Sequence, residues 1–271
     1  NLKLRLSAGV TGNQEIGQYL SLATLASTTY FFGGQTYIGF APNRIANPNL
    51  GWETTAQYDG GIDLSLFKNR ISVVFDAYYK KTTNLLLNVP IPYTTGQSTS
   101  LQNYGTVENK GIELGINTEN VTGALSWNTN FVFSVNRNKV LSLGDGASYI
   151  ISGANIAKVG QPLGSFYGYQ TNGLFQTGDD IANLPTINPA TTKPGDRRYV
   201  DINGDGKITQ ADDRTLIGNA QPKFQGGITN TLSFLNFDLS FFFQGTYGNK
   251  LFNQNKQQLE LLTGQQNASI T

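Results

Sequence analysis

Cysteine, histidine and methionine are all absent from this 271-residue chain. Without thiol or imidazole there is no cysteine nucleophile, no Cys/His zinc site, no disulfide and no triad built on histidine. Lack of disulfides does not exclude an oxidising compartment, because exported proteins can do without them. Charge is also scarce and balanced, with 19 basic against 18 acidic residues. No Lys/Arg cluster is interleaved with aromatics, so no nucleic-acid partner is expected. No apolar run approaches the roughly 20 residues of a membrane-spanning helix. The sequence opens on Asn1 and shows no signal peptide, so export cannot be read from this end.

Aromatics and glycine are plentiful: 16 Phe, 13 Tyr, 2 Trp and 31 Gly. The aromatics fall within runs of strict alternation. Ile62, Leu64 and Leu66 share one face, opposite Asp63 and Ser65. After Lys68-Asn69, the residues Ile71, Val73, Phe75, Ala77 and Tyr79 face one way and Ser72, Asp76, Tyr78 and Lys80 the other. A period of two means strands, and so short a break means a tight hairpin. The second arm alternates over the 9–11 residues or so that a tilted strand needs to cross a bilayer.

Seven such strands are legible: Asn1 to Val10, Trp52 to Phe67, Ile71 to Leu87, Val107 to Val121, Ala124 to Val140, Gln225 to Leu235 and Phe237 to Gln244. The segments 11–51, 88–106 and 141–224 read as loops, the last a long one. A polar tail with a weakly helical stretch at Lys256 to Leu262 closes the chain. Connections alternate long and short, and the short ones are Lys68-Asn69, Thr122-Gly123 and Leu235-Asn236. In an up-and-down antiparallel sheet this places every tight turn on one rim and every long loop on the other, as in outer-membrane barrels. Trp52, Tyr58, Tyr78, Tyr79, Trp127 and Phe241 to Phe243 suit an interfacial aromatic girdle. The expected fold class is therefore all-β, part of a large antiparallel up-and-down transmembrane β-barrel with short periplasmic turns and long extracellular loops. Seven strands do not close such a barrel, so unpaired edges are expected at both ends. The alternative is a soluble, calcium-dependent carbohydrate-binding β domain whose sheet closes on itself.

The long loop holds a motif of its own, DINGDGKITQAD over residues 201–212. Oxygen donors stand at positions one, three and five (Asp201, Asn203, Asp205). Gly206 takes the sharp turn at six, Lys207 offers its carbonyl at seven, and Thr209 and Asp212 follow at nine and twelve. This is the spacing that wraps hard oxygen ligands around Ca²⁺. Asp212 replaces the usual Glu at twelve, and its shorter side chain reaches less far. A metal set of Asp201, Asn203, Asp205, Lys207, Thr209 and Asp212, holding a structural Ca²⁺, is the expectation. The bland reading is an Asx-turn loop that needs no ion. No catalytic residue is expected. Glu53, Asp63, Asp76, Glu108 and Glu113 are the carboxylates on or near strands, and they read as lumen or rim charge rather than as a glycosidase pair.

Several segments together resemble the SusC/RagA family of TonB-dependent outer-membrane transporters, in the C-terminal part of the barrel. They include NRIANPNLGWETTAQYDGGIDLSLFKNRISVVFDAYYKKTTNLLL, VGQPLGSFYGYQTNGLFQ, PGDRRYVDINGDGKITQADDRTLIGNAQPKFQGGITN and FDLSFFFQGTYGNKLFN. The resemblance implies a barrel of about 22 strands with a plugged lumen, located in the cell outer membrane. It also implies a SusD-like lipoprotein partner, energy from the TonB complex, and oligosaccharide or peptide substrates. A plug, a TonB box and the early strands are not found among these residues. On this reading residues 1–271 are barrel wall and external loops, and 141–224 is a long extracellular loop carrying the calcium motif.

Overall fold

The computed structural model describes residues 1–14 and 17–260. Its strands, in chain order, begin with β1 (Leu2–Asn13), β2 (Thr24–Phe32), β3 (Gln35–Arg44), β4 (Glu53–Leu66) and β5 (Ile71–Thr83). Next come β6 (Leu86–Pro90), β7 (Thr99–Asn103), β8 (Thr106–Val121) and β9 (Leu125–Ser142). The long third interval holds β10 (Tyr149–Ser152), β11 (Asn155–Lys158), β12 (Ser165–Tyr169), β13 (Thr171–Leu174), β14 (Arg197–Tyr199) and β15 (Arg214–Gly218). The chain then returns through β16 (Phe224–Phe234) and β17 (Phe237–Tyr247) to a short helix α1 (Gln254–Glu260). Residues 261 and 262 of the expected helical stretch lie outside the described residues.

All seven strands expected from the alternation are found, paired antiparallel in one seven-stranded sheet of order β1-β4-β5-β8-β9-β16-β17. Each strand neighbours the next wall strand along the chain, as an up-and-down sheet requires. β1 and β17 are the two edges, each with one partner. The register carries the alternation across the sheet. One row runs Leu4, Ile62, Phe75, Leu114, Phe133; the next runs Leu2, Leu64, Val73, Ile116, Phe131, Ile228, Phe243. On the other face run Arg5, Gly61, Asp76, Glu113, Ser134 and Gln225. No second sheet covers the apolar face among the described residues: Leu4 is 69% exposed and Phe243 65%. The self-closing sandwich is therefore not what forms. Of the aromatics suited to the girdle, Tyr78, as its alternation predicts, and Phe242 lie on the polar face, opposite in parity to Tyr79 and Phe243.

The tight turns gather at one rim. Leu66 pairs with Ile71, so the first turn is residues 67–70, wider than Lys68-Asn69 alone, and Phe67, Lys68 and Asn69 all take left-handed backbone. β5 ends earlier than Leu87 because Asn84 turns left-handed and Leu86 starts a new hairpin. The expected loops are themselves folded. β2–β3 and β6–β7 are hairpins, and the interval after β9 holds the four-stranded sheet β10-β11-β12-β15 and the pair β13-β14. Apart from β2 and β3, which run nine and ten residues, these strands have three to five, too few for an alternation to show in sequence.

The buried core lies where the loop-side ends of β8 and β9 meet this folded rim, not along the wall. Val89, Tyr104, Val107, Val140 and Leu143 form it, with Leu85, Leu87, Ile150 and Ala157 packed against them. Val107 stands opposite Val140 in the regular register, and its parity, that of Glu113, puts both on the polar-face side; the register shifts only beyond them, where Thr106 meets Ser142. Asn138 ties rim to wall: its amide donates to Asn109 (2.9 Å) and its carbonyl accepts from the Leu163 amide (2.7 Å).

Candidate functional site

Two places concentrate polar chemistry: the polar face of the wall and the acidic loop. On the wall, Arg5 of β1 bridges Asp63 of β4 and Asp76 of β5. Its Nη2 donates to Asp63 Oδ1 at 2.7 Å and to Asp76 Oδ2 at 3.0 Å. In the register Gly61 stands between Arg5 and Asp76. A Cβ at Gly61 would strike both side chains, so only glycine lets the guanidinium reach across a strand to its second carboxylate. A second glycine does the same for a ring: Tyr78 lies over Gly111, its hydroxyl 2.6 Å from where a Cβ would be. Beside this network a groove of about 790 Å³ runs over the polar face, floored by Val74, Val132 and Phe242 and edged by Asp76, Glu113 and Gln244. An ion network that shares Asp76 with a trough edged by carboxylates suits a face that lines a passage.

The five strand carboxylates divide by this geometry. Asp63 and Asp76 are in the Arg5 network, with Glu113 directly across from Asp76. Glu53 is a structural acceptor, taking the Leu86 amide at 2.9 Å. Glu108 is not on the polar face at all. Its register partners Lys81 and Lys139 place it on the apolar side, where Lys110 lies 3.4 Å away.

The acidic loop is wrapped by its own backbone. Asp201 accepts the amides of Gly204 and Gly206, both at 2.7 Å, and those two glycines are left-handed, which lets the chain circle the carboxylate. Asp205 accepts the Lys207 amide at 2.9 Å and the Asn203 side chain at 3.0 Å. These two bonds hold its carboxyl below the usual range. Thr209 donates to Asp212 at 3.1 Å. The six expected ligands thus fall into two groups, Asp201–Asn203–Asp205 with Lys207 on one side and Thr209–Asp212 on the other. Among the described residues no three acidic side chains stand close enough to hold an ion.

The residue that ties the loop together escaped the sequence reading. Asp213 is fully buried and accepts the amides of Ile202 (2.8 Å) and Thr209 (2.7 Å), joining the start of the loop to its end. Ile208 is buried beside it, its amide bonded to the Thr186 carbonyl. A second aspartate directly after position twelve was the available signal. The Arg5 bridge was also missed: alternation put its three side chains on polar faces, but their meeting depends on cross-strand register.

The same order of strands, turns and loops recurs in known proteins. A family model described as TonB dependent receptor-like, beta-barrel, matches residues 1–258. The chain belongs to that family. It is 39% identical over 277 residues to TonB-dependent receptor P3 of Formosa agariphila, covering 98% of this chain and 27% of that protein. It is 32% identical to TonB-dependent receptor SusC of Bacteroides thetaiotaomicron, over 93% of this chain and 25% of SusC. Among solved structures it is similar to the RagAB peptide importer in its closed-closed state, with a TM-score of 0.76 and 25% identity over 96% of this chain and 28% of that one. The chain therefore spans about a quarter of the length of these relatives. Membership makes the open seven-stranded sheet a segment of barrel wall, with its tight turns on one rim and its folded loops on the other.

Proposed function

We propose that this chain forms wall and external loops in the C-terminal part of an outer-membrane transporter barrel. The whole protein, energised through TonB by parts outside these residues, would import oligosaccharides or peptides with a SusD-like surface lipoprotein. One observation carries the reading: seven consecutive strands present a continuous, uncovered apolar face on one side and the Arg5 network and its groove on the other. A sheet with these two sides suits a boundary between lipid and a watery lumen. The names of SusC and of the RagAB peptide importer support nutrient uptake, and the second raises peptides as a substrate class.

Surface labelling of intact cells tests this. An epitope placed in the complete protein near Asn188 should be reached by antibody, and one placed at Thr122-Gly123 should be reached only after the outer membrane is opened. The reverse pattern would reject the orientation, and equal access at both would reject the membrane span. Loss of uptake of a labelled oligosaccharide or peptide on deleting the gene would identify the substrate class.

Calcium belongs to the same proposal. Asp201, Asn203, Asp205, Thr209 and Asp212, with the Lys207 carbonyl, are an all-oxygen donor set of the kind that takes Ca²⁺. An ion would draw the two groups together and stiffen the loop. Support comes from the spacing and from the backbone wrapped around Asp201. Calorimetry on the complete protein should show Ca²⁺ heat that Asp201→Ala removes; absence of heat in the unaltered protein would reject the site.

A further inference from the structure

The outward, apolar face of the wall is not uniformly greasy. Across the seven strands its charged residues are Lys81 on β5, Glu108 and Lys110 on β8, and Arg137 and Lys139 on β9. They occupy two adjacent rows: Tyr79, Lys110 and Arg137 in one, Lys81, Glu108 and Lys139 in the next. Rows on one face lie about 7 Å apart along the strand, and neighbouring strands about 5 Å apart. The patch is thus small and dense, four cations to one anion. It begins where the apolar rows end, at Ala77, Ile112 and Val135. All four cations are exposed, whereas Glu108 is 14% exposed at its side chain and is engaged by Lys110. Lys223, at the head of β16, extends the patch: Arg137 donates to its carbonyl, and its ammonium lies over the Tyr247 ring.

The opposite border of the apolar band has no counterpart. There the rows run on through Trp127, Leu232 and Leu239 to Leu125, Phe234 and Phe237 with no charged residue on this face; the cations nearest that end, Lys68 and Arg70, lie in the turn beyond it, Arg70 with its guanidinium on the carbonyls of Glu119 and Asn120. Tyr58 and Tyr79 share the level of the basic row, where amphipathic rings sit at headgroup depth. An apolar band continuous with a one-sided basic belt matches a ligand with acyl chains and an anionic head.

We infer that this patch holds phospholipid headgroups of net negative charge in the leaflet at the long-loop side, with their chains against the apolar rows. The inference rests on the membrane reading above. The anion is recognised as part of a lipid: the four cations are exposed and border the apolar band directly.

The test uses the complete protein in vesicles, with a fluorophore on a cysteine introduced by Ile112→Cys. Brominated phosphatidylcholine should quench it; absence of quenching would sink the membrane reading and this inference with it. Brominated phosphatidylglycerol diluted in phosphatidylcholine should then quench more strongly, with a relative association of roughly fivefold. In Lys81→Gln/Lys110→Gln/Arg137→Gln/Lys139→Gln that ratio should fall to about one, while Lys3→Gln/Lys68→Gln leaves it unchanged. If the quadruple variant fails to fold, Lys81→Gln and Lys139→Gln singly should each lower the ratio. Equal quenching by the two lipids in the unaltered protein, or a ratio insensitive to the substitutions, would overturn the inference and leave the membrane reading standing. So would loss of the preference on adding millimolar inorganic phosphate at constant ionic strength, since the site would then take the free anion.

Discussion

The wall and the folded rim are built from similar residues used in opposite ways. In the wall, leucine, isoleucine and phenylalanine point outward and stay uncovered, as Leu4, Leu239 and Phe243 do. In the rim, Val89, Val140, Leu143, Phe175 and Ile208 are buried. An apolar face of that size in water would drive aggregation. The difference teaches that the two regions answer to two solvents. The wall's backbone is satisfied by its ladder and needs no core, provided lipid covers its apolar side. The rim faces water and must build its own core.

Opposite responses to one kind of substitution are the strongest test of that contrast. Leu114 sits mid-row on the apolar face, between Phe75 and Phe133; Val132 is at a similar depth on the polar face. Leu114→Arg should cost about 2–4 kcal/mol in bilayers, as an arginine on the lipid face near the midplane does. Val132→Arg should cost far less, because it meets the aqueous groove. Urea unfolding in vesicles measures both. Equal costs would mean that the two faces do not see different media.

In the rim the largest single loss is expected at a buried polar residue. Asp213→Ala leaves the amides of Ile202 and Thr209 without their acceptor and should cost about 1.5–3 kcal/mol. Hydrogen exchange should show the loss confined to the acidic loop and its neighbours. Exchange gained across β8 and β9 as well would show that rim and wall unfold as one unit. Val140→Ala, which removes two methylenes' worth of fully buried surface, should cost about 1.5–2 kcal/mol. Its effect should appear in the β6–β7 hairpin before the wall.

How much could be read from sequence follows the same division. Every wall strand was legible, because one face must be apolar over a bilayer's thickness, and a period of two sustained that long is hard to mistake. The turn rim was legible from connection lengths. The rim's short strands were not: β11 and β13 are four residues long, and β13 is exposed throughout, so no alternation marks them. The acidic loop showed its spacing but not its tie: a second aspartate at 213 is visible, but its partners are backbone amides, which nearly every residue carries. Glu108, read as lumen or rim charge, lies toward the long-loop rim, and its parity, the same as that of Ile112 and Leu114, puts it outward rather than in the lumen.

The smallest effect concerns where the lipid ends. Leu235 occupies the tight turn between β16 and β17 with left-handed backbone (φ 53°) and is 79% exposed. A branched side chain is disfavoured there by about 1 kcal/mol, and asparagine tolerates the conformation better. If the turn rim stands in water, Leu235→Asn relieves that strain and gives up no burial, so the barrel should gain somewhat under 1 kcal/mol. If the rim sinks into the hydrocarbon, the same change puts an amide into lipid and the sign reverses. Phe234 and Phe237 flank the turn as the last apolar cross-strand pair, so the boundary should fall between that pair and the turn itself. A stabilised Leu235→Asn combined with a destabilised Phe237→Asn would locate it to within one residue step along the strand.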